Sequence, residues 1–373
     1  MIDPAGFLDA LRGRGVRLFA GVPDSLLKDL CACVDDRAAP GEHLICANEG
    51  NAIGVAAGHH LATGGIAAVY LQNSGLGNAV NPLASLTSAE VYRIPLLLIV
   101  GWRGEPGVHD EPQHVMQGRI TRGQLDLLDI PHRILQADSP VDATLDAVFA
   151  DLRGRGSPAA LLVRKDAFAP YKARSKPPAI GSLTREEALA ALLPLLGASD
   201  LVVSTTGKTS RELFELRVRR GETQRDFLTV GCMGHTASIA CGLALASPGR
   251  RVVCVDGDGS LIMHLGALPV IAKAAPRNLL HVVMNNAAHE SVGGQATAAD
   301  RMDLPAAALA CGYRAAERAD TAEGLATALA RLAAAGGPAL LEMRIRQGSR
   351  PELGRPTSTA EENKLAFMGH ARA

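Results

Sequence analysis

Aromatic residues are scarce, at 3% of the 373-residue chain. That is too few for the stacked platform on which single-strand nucleic acid binders lay successive bases. Excess charge is missing as well. Lys and Arg number 38 and Asp and Glu number 38, so no net field draws the chain to nucleic acid or to an anionic membrane surface. No run reaches the ~20 apolar residues that a membrane span needs. The longest stretches, such as Pro95-Leu96-Leu97-Leu98-Ile99-Val100, have the length of a buried strand. The start, Met1-Ile2-Asp3-Pro4, lacks the basic and then apolar pattern of a secretory leader. The seven cysteines are odd in number and widely scattered, against a disulfide framework. Cys31-Ala32-Cys33 is the one close pair, and no second Cys/His pair has matching spacing for a metal. Together these absences predict a cytoplasmic chain with no nucleic-acid and no membrane partner.

What is present is an alternation of apolar runs and helical patterns. Strands are predicted over Val16–Ala20, His43–Ala47, Ile66–Gln72, Leu96–Gly101 and Ala159–Arg164. A second set is predicted over Leu201–Ser204, Phe227–Val230, Arg251–Val255, Leu279–Met284 and Ala339–Arg344. Runs without polar alternation indicate strands covered on both faces, hence parallel sheets flanked by helices. Helices are expected near Ser25–Asp36, Glu49–Ala62, Gly77–Val91 and Val141–Arg153, and later near Ser210–Arg219, Thr236–Ala246, Leu261–Ala274, Leu304–Cys311 and Thr321–Ala334. A basic, Pro-rich stretch without period separates the halves. The expected organisation is therefore an α/β domain over 1–168, a linker over 169–183, a second α/β domain over 184–347 and a polar tail over 348–373, with no evident sequence repeat between the halves.

The strongest local signal is Val255-Asp256-Gly257-Asp258-Gly259-Ser260, at the end of a predicted strand. Alone, Gly-Asp-Gly serves equally well as a tight turn. Here 25 residues follow Gly259 before Asn285-Asn286 ends the next strand, room for a helix and a return strand. Neighbouring parallel strands lie ~4.8 Å apart, so Asp258 and Asn286 can converge at the C-terminal edge of a sheet, where open α/β sheets bind ligands. Two hard oxygen donors there suit Mg²⁺, which completes its shell with phosphate oxygens and water. Asp258 is expected as an exposed carboxylate of that crevice, with the N–H groups of a helix start at Ser260 facing a diphosphate.

This spacing resembles the thiamine diphosphate enzymes. The resemblance implies two domains of the thiamine diphosphate-binding fold, one for the pyrimidine and one for the diphosphate, without the middle domain of larger members. It implies thiamine diphosphate and Mg²⁺ as cofactors, with Asp258, Asn286 and the carbonyl of Ala288 on the metal. It assigns Gly257, Gly259 and Ser260 to the diphosphate, together with Thr206, Gly207 and Lys208 of the hydroxyl-rich turn Ser204–Thr209. Met233 of Gly231-Cys232-Met233-Gly234 matches the apolar residue that holds the cofactor bent, and the Gly231 carbonyl matches the acceptor for the ring amino group. Cys46-Ala47-Asn48-Glu49-Gly50 resembles the segment of the catalytic glutamate, which starts a proton relay through the aminopyrimidine. Read without the resemblance, Glu49 only favours a helix N-terminus. Gly75-Leu76-Gly77-Asn78 imitates a dinucleotide fingerprint but lacks its third Gly, and is read as a loop facing the pyrimidine.

Within the family, Gly21–Leu27, Asp110–His114, Ser204–Leu213, His289–Gln295 and Gly354–Thr359 are similar to the branch that converts 3-phosphonopyruvate to phosphonoacetaldehyde and carbon dioxide in phosphonate biosynthesis. The alternatives are 3-sulfopyruvate as the substrate, or a member that binds the cofactor without decarboxylase activity. A single fused chain is taken to favour the phosphonate branch, because the sulfopyruvate enzymes are commonly two subunits. Asp24, Ser25, Gln113, His114, His289 and Glu290 are the candidates for holding the small 2-oxo acid. Lys208 or a basic residue of the tail is expected to meet its anionic substituent. The family geometry implies a homodimer at least, with a homotetramer as the next assembly.

Overall fold

The ten strands that the apolar runs predict, with two that they do not, assemble into two six-stranded sheets with every pairing parallel. The computed structural model describes residues 1–174 and 177–373, and no helix among them is long and apolar enough to cross a membrane. The chain divides into two units, the first built from its N-terminal half and taking in Val292–Gln295, the second from its C-terminal half. Of the expected linker over 169–183, residues 175 and 176 lie outside the described residues.

In the first unit the strands are β1 (Phe19–Gly21), β2 (His43–Ile45), β3 (Ala67–Gln72), β4 (Leu96–Gly101), β5 (His132–Leu135) and β6 (Ala159–Val163). Their order is β2-β1-β3-β4-β6-β5. In the second they are β7 (Leu201–Ser204), β8 (Phe227–Leu228), β9 (Val252–Gly257), β10 (Leu279–Asn285), β11 (Ala315–Ala319) and β12 (Ala339–Arg344). Read from its other edge, that sheet runs β8-β7-β9-β10-β12-β11. This is the topology of the first sheet repeated, with no visible repeat in the sequence. Both faces of each sheet are buried. Along β4, Leu97 and Ile99 join one core cluster while Leu96, Leu98 and Val100 join another, as a doubly wound sheet requires. In each sheet the direction of winding reverses between the first and third strands, and the crevice at their C-terminal ends is where such folds bind ligands.

Several expectations need correction. β5 and β11 are not among the predicted strands, and the helices Pro4–Gly13 and Pro112–Leu127 are not among the predicted helices. Pro112–His114 therefore opens a helix. The helix expected over Leu261–Ala274 is two, Asp258–Met263 and Ala267–Ala274. The first begins at Asp258, two residues earlier than the expected start at Ser260.

The polar tail contains the helix Ala360–Arg372, opened by a Thr359/Glu362 capping box. Phe367 enters the core of the second unit, and the Asn363 side chain accepts from Leu228 N at 3.0 Å and donates to the Asp226 carbonyl at 2.9 Å. Asn363→Ala leaves those two buried backbone groups unpaired, and should cost about 1–2 kcal/mol in the thermal or urea unfolding of the second unit.

Candidate active site

Residues after β1, β2, β3 and β4 gather at one edge of the first sheet. Asn48 stands in extended conformation and caps the following helix by accepting from Asn51 N at 3.0 Å. Glu49 is thereby the first helical residue. It is 5% exposed, and its Oε2 accepts from Asn78 Nδ2 at 2.7 Å. Burial raises the Glu49 carboxyl above its ordinary range, and the Asn78 hydrogen bond offsets part of that rise. A Cβ on Gly75 would lie 2.2 Å from Glu49 Oε1, so only glycine leaves room for this carboxylate. The fingerprint-like Gly75–Asn78 segment thus faces Glu49: its glycine admits the side chain and its Asn holds it. Asn78 carries no sequence signal beyond lying in that segment.

Asp24 follows β1 and is fully buried. Its Oδ2 accepts from Leu26 N at 3.0 Å, while Oδ1 has no partner. Burial pushes this carboxyl up to about 6 against the opposing pull of backbone N–H groups and the Arg103 charge. Ser25 Oγ accepts from Arg103 Nη1 at 2.7 Å. Arg103, two residues past β4, also grips Asp110 through Nε at 2.8 Å and Nη2 at 2.5 Å. Gln113 and His114 stand in the first turn of helix Pro112–Leu127, where Gln113 Oε1 and His114 Nδ1 have no partner. Burial and then the Arg103 charge lower the His114 imidazolium below its ordinary range.

The second sheet gathers its candidates in the same way. Gly257 pairs with Met284 across β9 and β10, which brings Asp258 beside Asn286, whose backbone N–H bonds to the Asp258 carboxylate. Asp258 is only 3% exposed, and Thr297 Oγ1 donates to it. The expected exposed crevice carboxylate is therefore buried; burial pushes it up to about 6, against the hydrogen bond from Thr297. Asn286 Oδ1 accepts from Ala288 N at 3.1 Å, and Ala287 between them takes φ 53°, a left-handed turn that folds the Ala288 segment back over the end of β10.

Thr206, Gly207 and Lys208 form the turn from β7 into helix Lys208–Arg219, with Gly207 at φ 85° and ψ −139°, open essentially only to glycine. Thr206 Oγ1 accepts from Gly231 N at 2.9 Å. Ser260 Oγ accepts from Gly234 N at 3.1 Å and from Thr205 Oγ1 at 3.2 Å. The turn, the Gly231–Gly234 segment and the Gly257–Ser260 segment are thus one hydrogen-bonded cluster. A Cβ on Gly259 would meet His289 at 3.1 Å and the Met233 methyl at 3.4 Å, so this glycine keeps the floor between them open. Burial pushes the His289 imidazole down to about 4.

Lys208 and Glu290 are brought together as an ion pair at 3.3 Å. Glu290 also accepts from Arg185 Nη1 at 3.0 Å, Asn286 Nδ2 at 2.9 Å and Gly348 N at 3.1 Å. Burial favours its neutral form, but the charges of Arg185 and then Lys208 hold it below the ordinary range. Arg350 of the tail is bound to Glu186 and Glu215. Lys208, and Arg350 among the tail's basic residues, are thus already matched by carboxylates within the second unit. Arg185, which links Glu290 to Glu212 at 2.7 Å, has no signal in the sequence beyond its helix-start position.

Residues 5–126 match the family description "Thiamine pyrophosphate enzyme, N-terminal TPP binding domain", and residues 205–343 match "Thiamine pyrophosphate enzyme, C-terminal TPP binding domain". The chain belongs to the thiamine pyrophosphate enzymes. It is 42% identical over 389 aligned residues to phosphonopyruvate decarboxylase of Streptomyces hygroscopicus, spanning 100% of this chain and 94% of that protein. Identity to phosphonopyruvate decarboxylase of Streptomyces viridochromogenes is 41%, over 98% of this chain and 94% of that protein. Sulfopyruvate decarboxylase of Methanosarcina acetivorans is similar at 29% identity, over 96% of this chain and 95% of that protein. That relative aligns over 95% of its length as one chain, so fusion of the two halves does not separate the phosphonate and sulfonate branches; the gap in identity does.

Proposed function

We propose that this protein is a carboxy-lyase that removes carbon dioxide from 3-phosphonopyruvate without oxidation, giving phosphonoacetaldehyde, with thiamine diphosphate and Mg²⁺ as cofactors. The observation that carries the reading is the 42% identity along the whole chain to a protein of that name, against 29% for the sulfopyruvate enzyme.

The residues fit the cofactor. Asp258 is a buried carboxylate with one hydroxyl and neighbouring backbone donors, which a divalent cation would complete. Asn286 and the Ala288 carbonyl add hard oxygen donors of the kind Mg²⁺ takes. Thr206, Gly207, Lys208, Gly257, Gly259 and Ser260 would cradle the diphosphate, with Gly231 and Met233 against the rings. When bound, the thiazolium accepts the electron pair released as the carboxylate leaves. Glu49 would hold a proton at the pyrimidine nitrogen from a site that already disfavours its charged form. Glu290 acts by fixing Lys208 and Asn286, while Asp24, Ser25, Gln113, His114 and His289 face the 2-oxo acid.

The family resemblance implies that Glu49 of one copy and Asp258 of another would serve one cofactor, which makes a closed homodimer the smallest active assembly of this reading and a homotetramer the next. The seven cysteines are all free, in keeping with work in the cytoplasm.

The test is carbon dioxide release by the protein loaded with thiamine diphosphate and Mg²⁺. Phosphonopyruvate should be turned over with a kcat/KM at least about tenfold above those of sulfopyruvate and pyruvate, the discrimination that one lost charge-assisted contact supplies. Preference for sulfopyruvate would move the protein to the sulfonate branch.

A further inference from the structure

The basic side chains beside the second unit's candidate residues are bound to carboxylates: Lys208 to Glu290, Arg185 to Glu212 and Glu290, and Arg350 to Glu186 and Glu215. Arg103 in the first unit is also paired, but its surroundings differ. Asp110 holds the guanidinium by its Nε and Nη2 edge, and Nη1 reaches Ser25 Oγ at 2.7 Å. The backbone is clamped on both sides by one side chain: Asn73 Nδ2 donates to the Arg103 carbonyl at 2.8 Å, and Asn73 Oδ1 accepts from Arg103 N at 3.2 Å. Asn73 lies two residues before the glycine that admits Glu49. The guanidinium is thus fixed in orientation before any ligand arrives, which lowers the entropy lost on binding.

Buried polar atoms without partners lie on the segments that pack beside this fixed cation. Asp24 and His114 both lie close enough to feel its charge, and Asp24 Oδ1, His114 Nδ1 and the neighbouring Gln113 Oε1 are all unpartnered. Native interiors keep few such atoms, and a cluster of them marks a place that a polar ligand completes.

Resting on the reaction assigned above, we propose that Arg103 is the anchor for the phosphonate group of the substrate, and that the acceptors around it select phosphonate over sulfonate. Each Nη of Arg103 keeps a second N–H beyond the bonds to Asp110 and Ser25. The Ser25 oxygen accepts from Arg103, which leaves its own O–H to donate to the ligand. These donors fit the oxygens of either anion. The unpartnered oxygens of Asp24 and Gln113 do not: as acceptors they bond only to an anion that carries a proton. A phosphonate, with a second ionisation near pH ~6 like other phosphoryl groups, carries one readily. A sulfonate accepts only, and pyruvate offers neither charge nor acceptor there.

The test compares kcat/KM for phosphonopyruvate and pyruvate in the holoenzyme. Arg103→Ala should lower the phosphonopyruvate-to-pyruvate ratio by about 10–100-fold, the loss of a charge-assisted anchor, with most of the change in KM. Arg103→Lys keeps the charge but not the fork, and should recover part of that loss. Asp110→Asn breaks the same ion pair while leaving the guanidinium, and should keep or raise the ratio. An unchanged ratio in Arg103→Ala, or an equal fall in Asp110→Asn, overturns the anchor and leaves Arg103 as a prop for the Asp110 segment. Should Arg103→Ala fail to fold, Arg103→Lys decides alone, and a ratio equal to wild type overturns the proposal. Wild-type protein that releases no carbon dioxide from phosphonopyruvate would overturn the reaction itself; wild-type turnover with an unmoved ratio overturns only the role of Arg103.

Discussion

Glu49→Gln should lower turnover by about 10²–10⁴-fold while thiamine diphosphate still binds, the range a positioned acid–base group contributes. The amide has the shape of the carboxylate and an oxygen that can still accept from Asn78, so the helix start and its neighbours have no reason to move. What it lacks is a proton to give and take at a ring nitrogen. The surroundings suit a carboxyl that does so, since Gly75 leaves just enough room for the side chain and burial sets its titration above the ordinary range. Calorimetric binding of the cofactor and carbon dioxide release, measured on one preparation, check the two halves of the expectation. Near-normal turnover would remove Glu49 from the mechanism, and lost cofactor binding would make its role structural.

The sequence is legible where one strand or one turn carries the information. The interior strands Leu96–Gly101, Leu201–Ser204 and Ala339–Arg344 have the bounds that their apolar runs predict. β5 and β11 stand at matching edges of the two sheets, half-buried, and their His132-Arg133 and Glu317-Arg318 break the apolar signal. Charged residues on edge strands discourage pairing with another chain, and the same charges hide the strand from a reader of hydrophobic pattern. The final helix escapes a pattern reading because so little of it is buried, chiefly Asn363 and Phe367; its capping box is the readable clue. The helix expected over Leu261–Ala274 breaks at His264–Gly266, where His264 stacks on His235, a residue 29 positions earlier that the local pattern does not place there.

The candidate site divides along the same line. Glycine-rich turns after strands announce themselves within a few residues, and the Gly257–Ser260 and Gly207 turns lie where such turns should. Arg103, Asn78 and Arg185 carry no local mark. Each is defined by partners distant in the chain: Ser25, Glu49 and Glu290 respectively. Lys208 and Arg350 show the converse, since a basic residue read as available for an anion can already be held by carboxylates that the sequence does not place beside it.

Asp24→Asn should make the protein more stable at pH 8 and less active. The carboxyl is fully buried, one of its oxygens has no partner, and burial pushes it up to about 6 from its ordinary 3.8. A group whose folded value lies above its unfolded value is bound more tightly by its proton in the fold. Its contribution to stability is therefore complete below the unfolded value and is lost as the pH rises through about 6. Above that the fold must hold an ionised, half-satisfied carboxylate, at a cost of about 3 kcal/mol for a rise of that size. An amide carries no such cost and can still accept from Leu26 N. The stability gain of Asp24→Asn should thus approach its full size near pH 8 and shrink toward pH 5, read as the difference in unfolding midpoint between variant and wild type. Turnover should move the other way, falling by about 10²-fold, because the amide cannot exchange a proton near neutral pH with the substrate that Asp24 is proposed to face. A gain that is absent, or the same at both pH values, would show that Asp24 is not held as described. A gain without loss of turnover would leave an ionisable group that weakens its own fold with no chemical reason to be there, whereas sites that do chemistry are where such instability persists.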